Sequence, residues 1–409
     1  MKKQVVVVGG GISGLTSALS LAEAGYQVDL YESKDHLGGL ISTHQGPYGK
    51  SESAANGILN SLAVENLFRR LNVPLTGVLP TARARYVLVD GRPQRWPFSF
   101  AESMVLFFRL SGYMLRGKSS MAPRPGETVA VWLERTLGKN VNDKFLAPAL
   151  LGIYASRSSE LSASLVMAPF FAKSKKKSKP EIRGTVAPVG GMGALVDALV
   201  KSCAELGVHV HLNEQYNWDR WDGGKTPHVF AGAAHQAAEA LRQLAPEAAV
   251  LLGKVRMLPV VSATLFYPKE SSFLTGFGCL FSEEEKMNGL GVLFPGCIFP
   301  ERTTVHAETW IMGGAVHPEM AQWSPEQVVD GISSDRRRLA GQDVEPLDRQ
   351  LFRWPKALPY YDLYLEKALD ELKLPKGLYL NGNFLGKIGL AGLIERGLEL
   401  PDQIQAAGV

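Results

Sequence analysis

Val5-Val6-Val7-Val8-Gly9-Gly10-Gly11-Ile12-Ser13-Gly14 opens the chain, and its reading decides the fold. Four consecutive β-branched residues favour a strand, and the glycines after them end it. A helical segment then runs to Gly25, and Val28-Asp29-Leu30-Tyr31 forms a second strand that ends at Glu32. Strand, Gly-X-Gly-X-X-Gly turn, helix, strand and acid is the order that holds a dinucleotide. Gly9 permits the tight turn, Gly11 lets the backbone approach a pyrophosphate, and Gly14 lets the helix pack on the strand. Unpaired N–H groups and the positive dipole end of the helix suit the phosphates. Glu32 lies about 20 residues past the glycines, where a carboxylate accepts from ribose hydroxyls and disfavours a 2′-phosphate.

These residues alone serve NAD and FAD equally. Gly38-Gly39 separates them, because a second glycine pair after the ribose acid lets backbone cross the pyrophosphate again, as in an FAD site. The alternative is a simple Gly-Gly turn.

Composition bounds the rest. A chain of 409 residues can bury a large core and form about two or three domains. Hydrophobic content of 45% and charged content of 21% are those of a globular protein. The net charge of +4 makes no case for nucleic acid, and suits an anionic ligand or an acidic membrane surface. Cys203, Cys279 and Cys297 are scattered, so a disulfide framework and a zinc site lack support and a reducing compartment is expected. The eight histidines show no ligand spacing, His209 and His211 are read as alternating along a strand, and no metal is expected. After Met1-Lys2-Lys3 the apolar run breaks into glycines too early for a signal peptide. No stretch reaches the roughly 18 apolar residues of a membrane span.

Further along, Arg85 to Val89 reads as a strand with a hairpin turn at Asp90-Gly91. Residues 97–170 look helical, including Ala101 to Leu115 and Thr128 to Leu137. Lys173-Ser174-Lys175-Lys176-Lys177-Ser178-Lys179-Pro180 is a basic connector, read as a solvated loop or, as the minor reading, an anion-binding or membrane-facing run. Gly190-Gly191-Met192-Gly193 opens a helix from Ala194 to Leu206, followed by a strand at Val208 to Leu212. Val260 to Tyr267 and Thr304 to Ile311 are strands, and Ser324 caps a helix with Pro325 at its first position. The chain ends as strand, glycine and helix: Leu378-Tyr379-Leu380, Asn381-Gly382-Asn383, then Gly389 onward. The expected fold is α/β: a Rossmann-like FAD-binding domain entered three times (1–75, 185–254, 355–409), an α+β substrate domain (76–96, 255–354) and a helical insertion (97–184).

Four later segments carry a family resemblance. They are Phe145-Leu146-Ala147-Pro148-Ala149-Leu150-Leu151-Gly152-Ile153-Tyr154-Ala155 with Glu160-Leu161-Ser162, and the run from Val189 to Leu199 around Gly190-Gly191-Met192. The others are Arg353-Trp354 with Ala357-Leu358-Pro359-Tyr360, and Gly377 to Asn383 with Gly389-Leu390 and Ile394. With the opening glycines they resemble the FAD-dependent amine oxidase superfamily, and within it the oxygen-dependent protoporphyrinogen and coproporphyrinogen III oxidases. The segments span nearly the whole chain in the family's order.

The resemblance implies FAD contacts at Gly9, Gly10, Gly11, Ile12, Ser13, Gly14, Glu32, Ser33, Gly38 and Gly39. It further implies them at Ala54, Ala55, Asn56 and Gly57 beside the flavin ring, and at Gly382, Ile388, Gly389 and Leu390. Trp354 stands near the ring in the family, or is a plain core tryptophan. Asn56 is the best polar group for the ring, or a turn asparagine ahead of Gly57. No side chain is assigned as a catalytic acid or base, since the flavin carries the chemistry.

Departures from the family pattern are Leu40 where many relatives have Arg, Ala54-Ala55 in place of Gly-Pro, Tyr216 near the adenine end, and an abbreviated stretch from Asn217 to Ala234. The chain is also short for the group.

The implied reaction is oxidation of a porphyrinogen to the porphyrin in haem biosynthesis, with oxygen as acceptor and peroxide as product. Two alternatives stand beside it: another oxidase or desaturase of the superfamily, and a flavin- or tetrapyrrole-binding homologue without turnover. Substrate carboxylates would need arginines, and Arg83, Arg85, Arg92 and Arg95 cluster near the first hairpin, where solvent-facing strand charges are the plainer reading. Met104 to Leu115, flanked by Arg109, Arg116 and Lys118, reads first as a buried helix and second as an interfacial one. Relatives contact membranes through this region, which implies a cytoplasmic protein peripheral to the inner face of the cell membrane and a haem-pathway enzyme as partner.

Overall fold

The computed structural model describes residues 3–171 and 179–408, so Met1, Lys2 and positions 173–178 of the lysine-rich connector lie outside the described residues. Its first layer is a five-stranded sheet ordered His209–His211, Gln27–Tyr31, Gln4–Val8, His228–Phe230, Leu378–Leu380, with every neighbour parallel. Three separate stretches of chain therefore build one sheet. The helix Ile12–Glu23 crosses from the first strand to the second, and Gly193–Glu205 and Leu390–Ala406 pack on the same side. Ser20 Oγ donates to the Gly397 carbonyl at 2.6 Å, and a Cβ on Gly397 would stand 3.1 Å from Thr16, so the last helix lies directly on the first.

A seven-stranded sheet follows, ordered Asp348–Pro359, Met257–Tyr267, His306–Gly313, Gly289–Leu293, Gly278–Phe281, Arg85–Val89, Arg92–Gln94. The second of these strands begins three residues before the expected Val260 and passes through Pro259. The missing N–H falls where the pairing shifts between Leu258 and Val260, and an edge strand takes Pro355 and Pro359. The third begins two residues late, since the Thr303 and Thr304 hydroxyls turn aside to donate to the Tyr48 carbonyl. Helix Pro325–Ala340 covers one face, capped by Ser324 and Gln327 as a reciprocal pair. Beneath it Glu308 is fully buried, accepting from His306, Trp310 and Arg336 at 2.9, 3.0 and 2.9 Å.

Helix Phe100–Arg116 overturns the expectation of burial, because none of its residues is buried. Leu106, Arg109 and Tyr113 face the body: Leu106 packs on its apolar cluster, Arg109 donates to the Thr136 carbonyl and Tyr113 to that of Arg135. The opposite stripe puts Phe100, Phe107, Phe108, Met114 and Leu115 into solvent. Lys144 donates to Glu102 in the first turn and pulls that carboxyl down to about 2, which moors the helix at its N-terminal end.

His209 and His211 also differ from expectation. Residues two apart on a strand share a face, and both rings reach Asp29 Oδ1, at 3.6 and 3.1 Å.

One buried ion pair ties the hairpin Thr43–Glu52 to the loop that leads into strand His306–Gly313. Glu52 and Arg302 are both buried; the carboxylate also accepts from Met192 N at 3.0 Å and from Thr43 Oγ1 at 2.6 Å. Arg302→Met strands a buried carboxylate and is expected to lower unfolding free energy by about 3–5 kcal/mol in denaturant titration. The pair Glu52→Gln with Arg302→Met should recover a large part of that loss.

Candidate functional site

The opening glycines are dictated by close approach. A Cβ on Gly14 would lie 1.7 Å from the Gly9 carbonyl oxygen, and one on Gly9, whose φ is +109°, would lie 2.6 Å from that of Ala231. The helix they release has Gly11 as N-cap, with no capping side chain and no acid in its first turn. Its leading N–H groups are therefore unclaimed by side chains. Gly38 N donates to Gly10 O at 2.8 Å, and Gly11 and Gly38 form a lone parallel bridge. Gly39 faces Gly11 so closely that a Cβ on it would stand 3.1 Å from the Gly11 Cα. The two glycine runs thus make one cradle. Glu32 closes its far end, accepting from Gly10 N at 2.7 Å and from Lys34 N at 2.9 Å, while Ser33 Oγ donates to it at 3.3 Å.

Residues 54–57 follow the buried end of the hairpin Thr43–Glu52. Ser53 is buried, and its hydroxyl links Leu40 and Ser42. Leu40 thus offers only its carbonyl here. Ala54 and Ala55 pack on the apolar core of the five-stranded sheet, and Asn56 makes no side-chain hydrogen bond among the described residues. Gly57 is required by packing, with Thr185 and Phe299 2.9 and 3.1 Å from a Cβ placed there. Trp354 Nε1 donates to the Ser53 carbonyl at 2.7 Å, which fastens the edge of the seven-stranded sheet to this segment. Around the indole lie Leu151, Ala155, Leu258, Val260, Leu290 and Tyr360.

The end of the chain completes the site. Asn381, fully buried, donates to Ser13 O, Ser17 Oγ and Leu393 O at 3.2, 3.0 and 3.3 Å. It joins the first and last helices side by side. Gly382 leaves no space for a Cβ against Gly232 O, 2.7 Å away. Gly389 is the N-cap of Leu390–Ala406 and has no side-chain cap, and Ile388 packs on the apolar core beside it. Arg396 donates to the carbonyls of Gly382 and Leu385 at 3.1 and 2.6 Å, and burial pushes its guanidinium below the ordinary value.

Ser53, Arg396, Asn381, Ala231 and Gly232 were absent from the sequence-based site. Small residues after the strand His228–Phe230 were the available signal for the last two. Tyr216 is buried on the sheet against Val6 and Tyr31, and its hydroxyl meets His228 Nε2 at 2.7 Å. Burial lowers the His228 imidazole and pushes the Tyr216 phenol up to about 12. Trp218 packs edge-on against Tyr216 and Trp221 against His228, which extends this aromatic group along the sheet.

The residues present fit FAD. The glycine backbone at Gly9–Gly11 and Gly38–Gly39 with the uncapped helix N-terminus offers donors for a pyrophosphate, and Glu32 retains acceptor capacity for ribose hydroxyls. At the other end, a second uncapped helix N-terminus offers N–H groups and positive dipole.

Comparison with known proteins agrees. A family described as flavin containing amine oxidoreductase matches residues 12–384. Protoporphyrinogen oxidase 2, chloroplastic/mitochondrial, of Arabidopsis thaliana is 27% identical over 98% of this chain and 94% of its own length. Coproporphyrinogen III oxidase of Bacillus subtilis is 21% identical, covering 97% of this chain and 96% of its own. The crystal structure of a putative protoporphyrinogen oxidase from Exiguobacterium sp. 255-15 superposes with a TM-score of 0.79 at 18% identity, over 99% of both chains. The cofactor is FAD, and the protein is an oxidoreductase. Cradle, second helix terminus and a match across most of the chain place it in the flavin-containing amine oxidoreductase family.

Proposed function

We propose that the protein oxidises a porphyrinogen, protoporphyrinogen IX or coproporphyrinogen III, to the porphyrin, with oxygen as the final acceptor. One observation carries this reading. Leu151 and Ala155, from the segment that holds Gly152-Ile153-Tyr154-Ala155, meet Trp354, Ala357, Leu358 and Tyr360 in one apolar cluster, and Trp354 reaches Ser53. These residues come from the segments on which the resemblance to porphyrinogen oxidases rests, and the relatives named above carry those activities in their names.

FAD, when bound, supplies the redox chemistry. The chain's own part is to hold and orient. Gly9 to Gly14, Gly38, Gly39 and Glu32 bind the dinucleotide half, and Ala54 to Gly57 with Ile388 to Leu390 place the ring. Trp354, with Leu258, Val260, Leu290 and Tyr360, forms an apolar wall that excludes water from the reacting face. Asn56 lies three residues past Ser53, to which Trp354 is bonded, and is the polar side chain we assign to the ring. The sheets support the three-part domain division, with the substrate domain extended to Pro359 because strand Asp348–Pro359 is continuous.

We further place the protein at the cytoplasmic face of a membrane, with helix Phe100–Arg116 lying in the interface. Its outward stripe is apolar and Arg116 closes it with a cation, the pattern of a helix that dips into one anionic leaflet. Among the described residues no helix is long and apolar enough to cross a bilayer.

Three outcomes test these readings. Adding each porphyrinogen to the yellow holoenzyme in air should produce porphyrin fluorescence and peroxide with one of them; a flavin-loaded protein inert to both would sink the proposal. Gly11→Ala should leave folding intact, its Cβ having only Gly39 Cα at 3.8 Å, yet weaken FAD binding about tenfold or more in a flavin-quenching titration. Phe107→Asp with Leu115→Asp should abolish co-sedimentation with phosphatidylglycerol vesicles while retaining flavin.

A further inference from the structure

The last helix, Leu390–Ala406, carries Pro401 inside it and still continues to Ala406. Proline has no N–H, so the carbonyl four residues back, that of Gly397, loses its helical donor and also meets the proline ring. Gly397 and Pro401 are both buried, where a carbonyl left without a donor is destabilising. The first helix supplies a donor. Ser20, itself buried, gives its hydroxyl to Gly397 O at 2.6 Å. Position 397 lacks a side chain because its neighbours crowd it: a Cβ there would lie 3.1 Å from the Thr16 side chain and 3.2 Å from Asn381 Nδ2. A defect in one helix is thus answered by a hydroxyl on the other.

A second contact lies one turn nearer the helix start. Asn381 Nδ2 links Ser13 O and Ser17 Oγ of the first helix to Leu393 O of the last. One contact alone would let the last helix pivot on the first. Two contacts a turn apart fix its direction as well as its position. Gly389, the uncapped start of that helix, lies eight residues before Gly397, about 12 Å along the axis. A change of direction at Gly397 is therefore carried to the N–H groups that lead the helix.

From these features we infer that Ser20 and Pro401 are positioning residues for the cofactor. The carbonyl that Pro401 frees and Ser20 takes up sets the line of helix Leu390–Ala406, and with it the aim of the positive dipole end at Gly389. The inference rests on the placement of that terminus at the flavin ring and is independent of the porphyrinogen reading. It also makes the two residues reciprocal. With alanine at 401 the helix satisfies Gly397 by itself, and the Ser20 hydroxyl becomes dispensable.

The full-length holoenzyme tests this through its flavin reduction potential, with flavin content and thermal unfolding recorded beside it. Ser20→Ala should lower the preference for reduced over oxidised FAD about threefold, a shift of about 14 mV toward negative potential for a two-electron couple. In a Pro401→Ala background the same substitution should leave the potential unchanged. Ala391→Asp, which puts an acid in the first turn of the helix, checks the terminus itself and should also move the potential negative. If Ala391→Asp has no effect, the placement of the terminus fails and the inference falls with it. If Ala391→Asp shifts the potential and Ser20→Ala does not, the placement stands and the inference alone is overturned. Equal shifts from Ser20→Ala in both backgrounds overturn it as well. Should Ser20→Ala lose flavin altogether, recovery on adding Pro401→Ala supports the reciprocal pair, and no recovery overturns it.

Discussion

A single missing methyl group governs the nucleotide half. With the Gly9 carbonyl 1.7 Å from where a Gly14 Cβ would be, helix Ile12–Glu23 can pack on its strand only because position 14 has no side chain. That approach aims the uncapped N-terminus over the sheet edge, and Gly38-Gly39 can then close on Gly11 from the other side. Unpaired donors and positive dipole arise together from one packing constraint, and they suit the cradle to an anion.

Long-range polar contacts hold that cradle to the rest of the molecule. Asn381 and the Ser20 contact to Gly397 hold the last helix against the first, so the chain's two ends share one site. Glu52 connects the hairpin Thr43–Glu52, the start of helix Gly193–Glu205 and the loop that leads into strand His306–Gly313. Trp354 adds the fourth connection, at Ser53. All four are long-range and polar, and three of them are buried at both ends. Breaking any of the three buried ones would leave further buried polar groups unpaired, which favours this arrangement over looser ones.

Much of the fold was legible because its signals are local. The strand at Arg85 to Val89, the Asp90-Gly91 turn and the Ser324-Pro325 helix start each depend on residues within a few positions. Expectations failed where a distant partner intervened. Strand His306–Gly313 starts late because Tyr48 captures Thr303 and Thr304. Helix Phe100–Arg116 carries enough apolar residues for a core, but its composition does not say that only the Leu106, Arg109 and Tyr113 stripe finds a surface to cover. His209 and His211 converge on Asp29 from the neighbouring strand, a pairing that sequence spacing does not disclose.

By itself the sequence determined the dinucleotide turn, the ribose acid, the second glycine pair and the closing strand and helix, because a glycine enforced by close approach and a carboxylate at a strand end are read from their neighbours. Only the tertiary structure decided that Leu151 and Ala155 join Trp354, Ala357 and Tyr360 in one apolar cluster, and that Asn381 and Arg396 brace the start of the last helix. Those facts depend on which of many distant surfaces touch, and contact between remote segments is set by the packing of the whole chain rather than by any stretch of it.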